Sequence, residues 1–71
     1  MSRVMRLSDL IMQIEYFDTI YLNGTVYTAN IIEASKNPLV HIDFIDTDIA
    51  EHISSNGKEL VIKAIYYVTT I

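Results

Sequence analysis

Seventy-one residues leave room for one small domain, residues 1–71, and its half-apolar composition (51%) excludes a disordered chain. Two Gly and one Pro exclude collagen-like and low-complexity classes, and the absence of Cys excludes disulfide frameworks and thiolate metal sites. Nine acidic against five basic residues give a formal net charge of −4, the reverse of what a phosphate-neutralising nucleic-acid binder needs.

Helical periodicity occurs once, at the start, where Leu7, Leu10, Ile11, Ile14 and Phe17 recur at helical spacing. With Ser8 as N-cap and Asp9 in the first turn, the pattern predicts a helix over about 9–16. After Asp18 the period falls to two. Thr19–Leu22 and Thr25–Thr28 flank Asn23-Gly24, a strong hairpin signal that pairs Leu22 with Thr25 and Ile20 with Tyr27. The second of these strands is expected to run to about Glu33, where Ser35-Lys36-Asn37-Pro38 supplies turn chemistry. Leu39–Ile45 alternates, which predicts Val40, Ile42 and Phe44 inward and His41 and Asp43 outward.

Residues 46–55 admit two readings. Ile49 and Ile53 lie four apart behind the capping candidates Asp46 and Thr47, which suits a short helix. Alternatively Asn56-Gly57 closes a second hairpin that pairs 49–54 with 60–64, and the specificity of that turn favours the strand. Leu60–Ile71 is apolar or β-branched on both faces, with Lys63 its only charge, so it reads as a central strand or one covered on its second face by the helix or by another subunit. The fold expected is α+β: one N-terminal helix packed on a curved, mainly antiparallel sheet or small open barrel of four to five strands.

The charges are segregated. Between Leu7 and Gly57 lie Asp9, Glu15, Asp18, Glu33, Asp43, Asp46, Asp48 and Glu51 against the single base Lys36. Such a surface suits a basic protein partner or simple solubility, and no direct nucleic-acid contact is expected. The stretch after Arg3 and Arg6 is interrupted by Ser8, Asp9, Gln13 and Glu15, unlike a signal peptide, and no apolar run approaches the ~18 residues of a membrane span. A cytoplasmic protein without membrane contact is expected. The two His are isolated and no Gly-rich phosphate loop occurs, so neither an enzyme, a cofactor nor a small-molecule site is expected.

One constellation remains: His41-x-Asp43, Asp46-x-Asp48 and Glu51-His52. Its spacing fits no metal motif, since the calcium loop needs Gly and an acid in register. As a protein-binding patch the candidates are Asp43, Asp46, Asp48 and Glu51. Tyr66 and Tyr67 join them, because Tyr offers contact area with a hydrogen-bonding tip and adjacent strand residues face opposite ways. The apolar terminal strand adds the expectation of a homo-oligomer.

The hairpin Ile20-Tyr21-Leu22-Asn23-Gly24-Thr25-Val26-Tyr27-Thr28-Ala29-Asn30-Ile31-Ile32-Glu33 resembles one found in small phage-encoded anti-CRISPR proteins. The resemblance implies a compact acidic inhibitor, a DNA mimic that presents carboxylates to a nuclease surface meant for phosphates. It carries over no functional residue. The function expected is therefore a small acidic phage-type protein that inhibits or redirects a bacterial or phage enzyme with a basic surface. The alternative is an oligomerising structural domain.

Overall fold

A computed structural model describes residues 3–28 and 37–71. The elements are β1 (Arg3–Arg6), α1 (Leu7–Gln13), β2 (Thr19–Leu22), β3 (Thr25–Thr28), β4 (Leu39–Ser54) and β5 (Gly57–Thr70). The strands form one open sheet in the order β1-β4-β5-β2-β3. β2 lies parallel to β5, and the other three pairings are antiparallel. The apolar C-terminal segment is thus central over Ile65–Val68, where both neighbours pair with it. The sheet does not close into a barrel, and no helix among the described residues is long and apolar enough to cross a membrane.

A strand precedes the helix, which the sequence pattern did not predict. β1 is four residues long and owes its form to its partner, pairing Arg3–Arg6 with Leu39–Ile42 of β4. So short a strand carries no periodicity of its own. The helix is also displaced, covering Leu7–Gln13 instead of 9–16. Ser8 sits inside its first turn and makes no cap. The Leu7 and Ser8 N–H groups donate instead to Pro38 O (3.0 Å) and Asn37 Oδ1 (2.9 Å). The cap is delivered from a distant segment. Seven residues are too few for a helix to stand alone in water, and burial of Leu7 and Leu10 on the sheet holds it.

The first hairpin forms as its sequence requires. Asn23 and Gly24 both take positive φ (51° and 83°), as a type I′ turn demands, and the register pairs Ile20 with Tyr27 and Leu22 with Thr25. Asn23 also binds the end of β5: its N–H donates to Val68 O (2.9 Å), and its Oδ1 accepts from Thr70 N–H (3.0 Å). The expected continuation of this strand to Glu33 lies outside the described residues.

The ambiguous stretch is strand throughout. β4 runs unbroken to Ser54, which pairs with Gly57, so the turn residues are Ser55 and Asn56. Gly57 takes the positive φ of 108° just after them. The register therefore differs from the expected pairing of 49–54 with 60–64: Ile49 opposes Ile62 and Ser54 opposes Gly57.

One core cluster unites Leu7 and Leu10 of α1 with Ile20, Val40, Ile42 and Val68 of the sheet. Burying each such side chain contributes about 1.5–3 kcal/mol. Phe44 does not join them. Ile42 opposes Val68 and Phe44 opposes Tyr67, so Asp43 is one extra residue in β4, a β-bulge. The bulge reverses the facing of everything beyond it. Phe44, expected inward, is exposed on the sheet's other face.

Candidate protein-interaction surface

Among the described residues, β4 and β5 pair only with each other beyond the body of the sheet. β1 pairs with β4 over Leu39–Ile42 and β2 pairs with β5 over Ile65–Val68. Residues 47–54 and 57–64 therefore form a two-stranded ribbon that helps stretch the molecule to 41 × 26 × 19 Å. Among the described residues no pocket forms, so the candidate site is a surface.

Register assigns the two faces of the ribbon. One continues the face on which α1 packs, because Tyr66 lies beside the core cluster and opposes Ile45. Further out this face presents Thr47 opposite Ala64, Ile49 opposite Ile62, Glu51 opposite Leu60 and Ile53 opposite Lys58. α1 is too short to reach them. Ile45, Ile49, Ile53, Leu60 and Ile62 are left 43–76% exposed. The only charges on the stripe, Glu51 and Lys58, lie 3.4 Å apart in an ion pair. Five branched aliphatic side chains in one stripe exceed the scatter of single apolar residues usual on a surface.

The opposite face is polar and aromatic. Phe44 stacks on Tyr67 (4.2 Å between centroids) and Tyr67 on Tyr21 (5.0 Å), one aromatic row across β4, β5 and β2. Further out, the His52 ring meets Tyr16 (5.3 Å) and Phe17 (6.1 Å), and its Nδ1 shares a hydrogen bond with the Tyr16 hydroxyl. His52 Nε2 also lies 3.8 Å from Glu59. These contacts brace the ribbon against the segment that follows α1.

The segment itself is anchored by Asp18, the one buried charged residue among those described. Its Oδ1 accepts from Ala64 N–H (2.8 Å) and its Oδ2 from Glu15 N–H (2.9 Å). Thr19 pairs with Ile65, so Ala64 is where β5 parts from β2. The carboxylate satisfies the donor that the missing ladder leaves behind. Nearby, burial first and the Asp18 charge second push the Tyr66 phenol above its ordinary range, and Arg3 opposes them.

The predicted acidic residues are spread over this framework. Asp43 sits in the bulge, 2.7 Å from His41 Nδ1, and accepts from the Thr69 hydroxyl (3.2 Å). The shared facing of His41 and Asp43 is thus observed as a contact. Asp46 and Asp48 lie on the polar face, where Asp48 opposes Lys63, while Glu51 lies on the apolar face with Lys58. Asp46 Oδ1 accepts from Thr47 N–H and Asp48 Oδ1 from Ile49 N–H, both at 2.8 Å. Pairing of Ser54 with Gly57 across a two-residue turn points the N–H groups of residues 47 and 49 away from β5. Both carboxylates thus cover donors on the open edge of β4. Tyr66 and Tyr67 face opposite ways, as adjacent strand residues must. Tyr66 packs against the core and Tyr67 joins the aromatic row. Among the described residues, no three His, Asp or Glu side chains gather closely enough to hold a metal ion.

The exposed aliphatic stripe was not among the predicted site residues. Its signal lay in the order of apolar residues: even-numbered Val40 and Ile42 give way to odd-numbered Ile45, Ile49 and Ile53. That change of phase marks the bulge, and folding the sequence at the second turn brings Ile62 and Leu60 onto the same face.

Comparison with protein families, with curated proteins and with solved structures finds no match for this chain.

Proposed function

We propose that this chain is a protein-binding module, not an enzyme, and that it engages its partner through the apolar face of the β4–β5 ribbon. The observation that carries this reading is the stripe Ile45, Ile49, Ile53, Leu60 and Ile62, exposed on a ribbon braced by the Tyr16–Phe17–His52 cluster. A preformed, rigid apolar surface with few charges at its centre is what the core of a protein interface requires. A photo-reactive residue at Ile49 or Ile62 should cross-link to a polypeptide in the expressing cells. The same group at Met12, equally apolar and exposed on α1, should not. Absence of any adduct from the ribbon, or equal adducts from Met12, would sink the proposal.

A second reading keeps an acidic inhibitor of a nucleic-acid-handling enzyme, and one observation favours it: Asp46 and Asp48 project from one face of the ribbon. Exposed charges act through encounter rate and are screened beyond about 10 Å at 0.1 M salt. The triple variant Asp46→Asn, Asp48→Asn, Glu51→Gln should then associate more slowly with the enzyme in low salt. Unchanged association would leave those carboxylates as edge covers alone.

A further inference from the structure

We propose that the partner seated on the apolar stripe is a second copy of this chain, its ribbon packed face to face and antiparallel about a two-fold axis that crosses the row Ile49–Ile62. The inference rests on the protein-binding reading above and supplies its partner.

Three observations carry it. The first is complementarity of size. A two-fold axis lying in the interface and running across the strands superposes rows equally distant from Ile49–Ile62. Leu60 then faces Ala64 of the other copy, and Glu51 faces Thr47, so the large row beside the axis meets a small one. The outer rows set Ile53 against Ile45 and Lys58 against Tyr66. The tip of each ribbon thus ends where α1 begins to cover the other.

The second is charge. Two chains of net charge −4 repel, and most surfaces would bring uncompensated acids together. This face carries only the Glu51–Lys58 pair, neutral as a unit, while Asp46, Asp48 and Glu59 point from the opposite face.

The third is area. The five side chains are each 43–76% exposed in one continuous stripe, and a specific interface of the smallest kind draws about 600 Å² from each partner. The ribbon edges are partly occupied: pairing at Thr47 and Ile49 of β4 or at Ala64 of β5 would displace the Asp46, Asp48 and Asp18 carboxylates.

Ile49 lies on the proposed axis and therefore meets itself, which makes a sharp test. Its side chain is 64% exposed, so a charge there leaves the core intact. In sedimentation equilibrium the parent should weigh twice the 8.1 kDa chain. Ile49→Glu and Ile49→Lys should each fall to the single-chain mass with unchanged circular dichroism. An equimolar mixture of the two should recover the doubled mass, because opposite charges then meet at the axis. A parent that stays at single-chain mass at all concentrations overturns the second copy; so do single variants that remain doubled, or a mixture that stays single. If the ribbon still cross-links to a different polypeptide in cells, the protein-binding reading stands with another partner. If it cross-links to nothing, both fall.

Discussion

Replacing Asp18 with Ala tests how the ribbon is tied to the body. The carboxylate is buried and accepts two backbone N–H groups, from Ala64 at 2.8 Å and Glu15 at 2.9 Å. A hydrogen bond to a charged acceptor is worth about 1.5–3 kcal/mol, and an orphaned buried donor costs a similar amount. Both donors are only partly buried, so water recovers part of the loss and the lower value applies to each. The expected destabilisation is about 3 kcal/mol, a large share of the ~5 kcal/mol at the low end of domain stabilities. With a urea dependence near 1 kcal/mol/M for a chain this small, the unfolding midpoint should fall by about 3 M. Asp18→Asn keeps one acceptor and turns an NH₂ toward the second donor, so it should lose roughly half as much. Amide exchange should quicken most at Ala64 and Glu15. If Asp18→Ala moved the midpoint by less than about 0.5 M, the energetic role of this carboxylate would be refuted.

Two further outcomes follow from backbone and burial. Gly57 has φ 108° with nothing within 4 Å of an added Cβ, so Gly57→Ala should cost about 1–2 kcal/mol from conformation alone; an unchanged urea midpoint would contradict this. Tyr66, its phenol raised chiefly by burial, should be a late-titrating tyrosine. Below the ordinary phenol range both states hold the proton. As pH rises through that range the unfolded chain releases it first, so stability falls until the folded phenol ionises too. Absorbance titration of Tyr66→Phe should lose one late tyrosinate, and its urea midpoint should decline less steeply with alkaline pH than the parent's.

What the sequence disclosed follows the range of the interactions involved. The Asn23-Gly24 hairpin was readable to the residue because its turn is a local requirement for two positive φ angles. Leu60–Ile71 was readable as a strand because both its faces are apolar, but it is central only over Ile65–Val68. The start of α1 was not, since Asn37 and Pro38 supply its cap across the fold and leave Ser8 no capping role. β1 was missed for the same reason: its partners are the first residues of β4. Phe44 was misplaced because alternation through Leu39–Ile45 conceals one inserted residue. The acidic candidates were correctly seen as exposed, yet a list of charges does not show that Asp46 and Asp48 bend back to their neighbours' N–H groups.

That local bonding bears on why an apolar face can stay open on so small a protein. An unprotected ribbon offers two routes to association: its edges, where any strand can add without limit, and its faces. Asp46 and Asp48 occupy outer donors of β4, and Asp18 with the segment before β2 occupies the edge of β5 at Ala64. Edge addition at those positions would have to break these bonds. Face packing breaks none, and about a two-fold axis it uses the stripe of each copy completely, so growth stops at two. On the proposed reading Asp46 and Asp48 thereby obstruct edge addition along part of β4, and the aliphatic face is the surface left for a partner.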